Sequence, residues 1–156
     1  GANGIQALDL VGRKLPKDGG RAITAFFKKV GDYVKEREAD EAMKPYVAPL
    51  GKALGDLQKA TMWLMQNGMA NPDNAGAASS DYMHLFGLVA IGYMWARIAE
   101  GAQARKVRDA SQGPAMDAKL TTGKFYMERM LPETSLRLAR INTGAATMMA
   151  LPAEAF

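Results

Sequence analysis

His84 is the only histidine in a chain of 156 residues, and there is no cysteine. A single imidazole cannot complete a two-histidine metal site within one chain. Without thiols, Cys-type zinc centres, iron–sulfur clusters, thiolate nucleophiles and disulfides are all excluded. No metal is therefore expected, and His84, with Asp81 one helical turn away, reads as structural. The acids are scattered: Glu100 and Asp109 fall in one helical stretch, Glu128 and Glu133 near another, and no pair has the spacing of a carboxylate dyad. Gly19-Gly20 is too short to cradle a phosphate. No Walker-type loop, Gly-x-Ser-x-Gly elbow or dinucleotide fingerprint occurs anywhere. No catalytic residue is assigned. The groups best placed to meet a ligand are the cations Arg97, Arg105, Lys106 and Arg108. They can offset the helix dipole at a C-terminus or hold the phosphates of a nucleotide.

These groups must be positioned by helices. The central one covers residues 82–99, where twelve residues from Leu85 to Ala96 carry no charge. That run is too short to cross a bilayer, which takes about 20 apolar residues. It lacks a polar face, so it predicts a helix covered on several sides by its neighbours. Gly87 and Gly92 are the close-approach points, and Gly92 with Ala96 makes a small-residue notch. Trp95 and Tyr93 pack in the core or line a groove. Ser79 or Ser80 is the expected N-cap, with Asp81 near the positive end, and the helix runs on to Val107 or Ala110.

Around this helix the spacing predicts others. In residues 1–15, Ile5, Leu8, Val11 and Leu15 share a face and Asn3 is the cap. In residues 21–38, Ile23, Phe26, Phe27, Val30, Tyr33 and Val34 face inward, opposite a charged solvent face. Asp40 precedes a third helix that Pro45 and Pro49 delay and that ends near Gly68. Its Val47, Leu50, Leu54, Leu57, Thr61 and Leu64 recur at steps of three and four, the spacing of a bundle seam. Met62, Trp63 and Met65 broaden that face. Residues 67–76 read as a loop. A fifth helix over 115–130 turns Leu120, Phe125 or Tyr126, Met127, Met130 and Leu131 inward. A sixth segment comes after Pro132, with Leu136, Leu138 and Ile141, and runs toward Pro152 and a tail ending at Phe156. No strand pattern appears. The expected fold is all-α, a bundle of five to six helices around a central apolar helix.

A hydrophobic content of 48% and a charged content of 23% suit a globular chain. The net charge of +4 is mixed with acids, so neither a nucleic-acid nor a membrane partner is expected. No signal peptide is visible at the start, and a cytoplasmic location is expected.

Four stretches resemble a known family. Residues 3–15, Asn-Gly-Ile-Gln-Ala-Leu-Asp-Leu-Val-Gly-Arg-Lys-Leu, resemble the segment just after the catalytic glutamate of flavin-dependent acyl-CoA dehydrogenases. Residues 82–97 resemble the hallmark of the extra C-terminal domain in an enlarged bacterial branch, which includes 3-methylmercaptopropionyl-CoA dehydrogenases. Residues 124–134 and 144–156 are similar to later parts of the same domain. The resemblance implies that residues 1–18 end the dehydrogenase core and that residues 19–156 form the C-terminal helical domain. It implies FAD and α,β-dehydrogenation of an acyl-CoA in the full-length enzyme, with the glutamate falling immediately before Gly1. Asn3 and Gly4 would border the flavin edge, but Ala2 stands where the family has Thr and Gly4 where some members have Gln. The chain alone is thus expected to hold no cofactor and to be inactive. Its expected role is structural, with the upstream domains and a second subunit as partners. The alternative is an accessory domain in which Arg97, Arg105, Lys106 or Arg108 binds acyl-CoA phosphates.

Overall fold

Steps of three and four residues over 47–64 put six side chains on one side of a helix. In the computed structural model, which describes residues 1–155, that side forms the floor of the core. Val47, Leu50, Leu54, Leu57, Thr61 and Leu64 are all buried. They belong to α3 (Lys44–Asn67), one of six α-helices; the others are α1 (Ala2–Asp9), α2 (Arg21–Arg37), α4 (Pro72–Arg108), α5 (Gly113–Phe125) and α6 (Glu133–Thr143). No strand occurs among the described residues, so the fold is the all-α bundle that the spacing predicts. Pro45 sits in the first turn of α3, where its missing N–H costs nothing, and the helix continues unbroken through Pro49. The prolines therefore do not delay it. Asp40 shapes the turn ahead of α3, accepting from the Ala42 N–H at 2.9 Å.

The central helix is longer than expected. α4 has 37 residues and starts at Pro72, so residues 72–76 are helix rather than loop. Asn71 supplies the cap, its side-chain oxygen accepting from the Asp73 N–H at 3.0 Å. Pro72 occupies the first helical position and Asp73 the first turn, which is the pattern favoured at a helix start. Ser79 and Ser80 are not caps: Ser79 is buried inside the helix and donates to the Gly76 carbonyl at 2.9 Å. Asp81 consequently lies well inside α4, away from the positive end. The last turn carries Arg105, Lys106 and Arg108, where cations suit the dipole.

α4 lies on α3 and also packs against α1, α5 and α6. α2 reaches it through side chains. Phe26 stacks on Phe86 with ring centres 5.0 Å apart, and Tyr33 meets Tyr93 edge-on at 5.3 Å. Gly92 is a true close-approach point: a Cβ there would come within 3.2 Å of the Leu131 side chain and 3.5 Å of Leu50. Gly87 is not, since nothing lies within 4 Å of the corresponding position. The Gly92/Ala96 notch is therefore filled by this chain's own leucines and is not free for another subunit. Trp95 and Tyr93 pack into the core rather than lining a groove.

Two helices depart from the expected inward faces, and both carry a π turn. α1 runs on through a π turn over Leu10–Lys14, and α5 through another over Tyr126–Met130. Each π turn inserts one residue into the repeat and rotates the side chains beyond it. At the second, the Leu131 N–H bonds the Tyr126 carbonyl at 2.9 Å. Tyr126, Met127 and Leu131 are then buried, while Phe125 and Met130 point out. In α1 the inward residues are Ala7 and Val11, with Leu15 half-buried, whereas Ile5 and Leu8 are exposed. Asn3 lies within α1 and does not cap it. Met62 and Met65 are likewise exposed and do not broaden the buried face of α3.

α6 stops at Thr143 instead of running toward Pro152. Gly144 turns the chain at φ +64°, and a Cβ there would stand 2.9 Å from the Asn74 side-chain oxygen. That oxygen accepts from the Ala145 N–H at 3.0 Å, pinning the end of α6 to the start of α4. Leu136 is exposed and Leu138 half-buried, leaving Ile141 as the fully buried anchor. Phe156, at the close of the 144–156 segment, lies outside the described residues.

Candidate functional site

An apolar cleft of about 430 Å³ lies between the start of the chain and the far end of α3. Its near wall comes from the first π turn and from a tight 3₁₀ segment over Lys17–Gly20. Asp18, Gly19 and Gly20 there take left-handed angles of φ +52°, +65° and +78°. Glycine adopts such angles without steric cost, which explains the Gly19-Gly20 pair as a turn element. The far wall is Leu64, Met65 and Met69, and the floor is Thr61. Among the described residues Thr61 is the only lining residue with a polar side chain, and its hydroxyl is already engaged. It bonds the Leu57 carbonyl and the Tyr82 hydroxyl, both at 2.8 Å. Burial pushes the Tyr82 hydroxyl up to about 12, so it stays protonated at neutral pH. The cleft can hold an apolar group, but it offers no acid, base or cation to one.

The chemically active side chains lie elsewhere and apart. His84 is on the exposed face of α4. Glu100 accepts from the Tyr33 hydroxyl at 3.1 Å and from Arg37 at 2.8 Å, tying α2 to α4. Burial and the neighbouring Glu100 carboxylate both push the Tyr33 hydroxyl well up. Asp109 ends α4 and caps the next turn, with hydrogen bonds from Ser111 that hold its carboxyl below the usual range. Glu133 takes Arg137, while Glu128 is exposed. Glu100, Asp109 and Glu133 therefore stand on separate structural duties. Among the described residues no three His, Asp or Glu side chains come together as metal ligands.

The four cations do not converge either. Lys106 is neutralised by Asp117 from α5. Arg97 lies over the Tyr93 ring at 5.8 Å. Arg105 and Arg108 share the exposed last turn and have no salt bridge among the described residues. Asn3 and Gly4 are exposed on α1 and do not line the cleft, which begins at Val11. A flavin dinucleotide carries two phosphates and a polar ring edge. A cleft whose one hydroxyl is already spent does not fit it, and no chemical step is assigned to that cofactor in this chain.

The buried polar groups instead act as clasps between helices. Asp56 of α3 is 7% exposed and accepts from the Thr134 and Ser135 hydroxyls of α6 at 2.9 and 3.0 Å. Arg137 of α6 donates to Asp81 of α4 at 2.6 Å and to Glu133 at 2.5 and 2.9 Å. Tyr126 donates to the Leu88 carbonyl at 2.9 Å and Tyr46 to the Leu120 carbonyl at 3.0 Å. Apart from Arg137–Glu133, which are four residues apart within α6, sequence spacing shows none of these contacts, because spacing orders residues within a helix and these join separate parts of the fold.

Comparison with known proteins places this arrangement. A family model described as "Acetyl-CoA dehydrogenase C-terminal like" matches residues 26–152. The chain is also 28% identical, over 152 residues, to the 3-methylmercaptopropionyl-CoA dehydrogenase of Ruegeria pomeroyi. That alignment takes in 96% of this chain and 26% of the relative, so the chain spans about a quarter of its length. Among the described residues no helix is long and apolar enough to cross a membrane. A bundle clasped by buried polar pairs, matched over most of its length, belongs to the acetyl-CoA dehydrogenase C-terminal-like family.

Proposed function

We propose that these helices are the C-terminal domain of an FAD-dependent acyl-CoA dehydrogenase and that their task is mechanical. In this reading the whole enzyme removes hydrogen from the α and β carbons of an acyl-CoA thioester. Residues 1–18 end its core and residues 19–156 form the added domain. The flavin seat and the proton-abstracting glutamate belong to the rest of the enzyme. The domain covers that core and joins subunits of a homodimer, which works in the cytoplasm without nucleic acid or membrane. The observation that carries the reading is the family match over residues 26–152. The separation of the titratable side chains supports it, since a reaction centre needs an acid, a base or a nucleophile held beside its partners.

The test is to incubate the purified chain with FAD and an acyl-CoA, then desalt and record the flavin spectrum. The expected result is that the flavin elutes with the small molecules, remains oxidised, and no enoyl-CoA forms. Flavin bleaching with enoyl-CoA release would overturn the reading. The competing role, a grip on CoA phosphates, draws on Arg105 and Arg108 in the last turn of α4. Calorimetric heat with CoA that Arg105→Ala or Arg108→Ala removes would favour it.

A further inference from the structure

α4 packs on α3 and against α1, α5 and α6, takes α2 side chains at Phe86 and Tyr93, and keeps one face open. His84, Gly87, Ile91, Met94, Ile98 and Gly101 succeed one another along it in alternating steps of three and four residues. That is the 3.5-residue repeat of a coiled-coil seam. On α3 the same repeat is turned into the core; on α4 it is turned out. Ile91 and Met94 are each 50% exposed and Ile98 is 39% exposed. Neither Gly87 nor Gly101 has any atom within 4 Å of where a Cβ would stand. No acid or base other than His84 lies on this strip until Arg105. A continuous apolar strip of this kind on a folded chain marks an interface.

We propose that the strip pairs, antiparallel, with the same strip of a second copy of this chain. Size complementarity selects that occupant. A two-fold axis passing between Ile91 and Met94 sets Ile91 against Met94 of the second copy. It also sets Ile98 against Gly87 and His84 against Gly101. Every large side chain away from the axis then faces a glycine, which lets the two helices approach closely. A parallel pairing would set glycine on glycine and isoleucine on isoleucine, alternating gaps with collisions. Charge agrees. The antiparallel register lays the Arg105 and Arg108 end of one helix beside the start of the other, where Asp73 is exposed. It also opposes the two helix dipoles. The pairing rests on the subunit-joining role proposed above and gives it a specific face: a monomeric chain fails both, a dimer indifferent to Met94→Lys fails the face alone, and neither touches the reading that the flavin seat lies in the rest of the enzyme.

Sedimentation equilibrium of the whole chain tests it. The expected mass is twice the 16.8 kDa of one chain. Met94→Lys or Ile98→Lys should abolish the dimer and leave the helical circular dichroism unchanged. Met62→Lys, at an equally exposed apolar site on α3, should keep the dimer. Because the chain has no cysteine, orientation can be read from single-cysteine variants. A mixture of Gly87→Cys and Ile98→Cys chains should be joined by a short bismaleimide into the mixed dimer, with little joining of either variant to itself. A wild type that stays monomeric at its highest soluble concentration, as a strip reserved for another domain would give, overturns the proposal. So does a dimer indifferent to Met94→Lys, or one in which Gly87→Cys chains link mainly to each other.

Discussion

Leu85→Ala should destabilise the fold by about 3 kcal/mol, within the range for emptying a fully buried leucine site. Leu136→Ala should change it by less than about 0.5 kcal/mol, as expected for an exposed position. The side chains are the same and the surroundings are not. Leu85 is 0% exposed in the middle of α4, whereas Leu136 on α6 is 52% exposed. Losing Leu85 removes contacts with the helices beneath and beside α4 and leaves a void that a close-packed interior fills only in part. Chemical denaturation of the two variants measures the difference directly. Equal costs would mean that α4 does not present the face described to the core.

The second large effect is expected at Arg137. Its guanidinium bridges Asp81 on α4 and Glu133 on α6, and the side chains of Arg137 and Asp81 are only 20% and 18% exposed. Removing one partner of a fully buried pair costs roughly 3–5 kcal/mol, because the other charge is left without compensation. Partial exposure here lowers the expectation for Arg137→Ala to about 2 kcal/mol. Arg137→Lys should recover only part of the loss, since an ammonium cannot reproduce the forked contacts to two carboxylates. A double-mutant cycle with Asp81→Ala should return a coupling of about 1 kcal/mol or more. Strict additivity would show that the bridge contributes nothing to docking α6 on α4.

The two residues of that pair show where sequence reasoning runs out. Asp81 stands after two serines and has the look of a first-turn acid beside its cap. The actual cap, Asn71 with Pro72 and Asp73 behind it, lies further upstream and carries the proper residue types. Asn67-Gly68 and Gly76 punctuate the same stretch and make it read as a loop. The start of α4 is thus legible but outweighed, whereas the Asp81–Arg137 contact is not legible at all, since it spans 56 positions. The α3 seam is legible because one repeat, uninterrupted, fixes one face. The face of α5 is lost where a π turn slips the repeat by one residue, and nothing in the local composition signals such a slip.

The α4 strip gives the complementary lesson. A helix that looks apolar all round suggests full coverage, yet its Ile91, Met94 and Ile98 face outward. Local pattern shows that a surface is apolar, and only the packing shows which apolar surface is left over. The cleft floored by Thr61 is invisible for a similar reason, being built from segments distant in the chain. The fold gives the dispersed acids structural contacts that spacing does not announce: Glu100 ties α2 to α4, and Asp109 caps the turn after α4.

The central claim is that these 156 residues are a C-terminal part of a larger dehydrogenase. An antibody raised against the purified chain, used on a blot of the source cells, tests this most directly. The expected result is a single polypeptide about four times the mass of the chain, given that the chain spans 26% of its relative. A band at 16.8 kDa and none above it would contradict that claim.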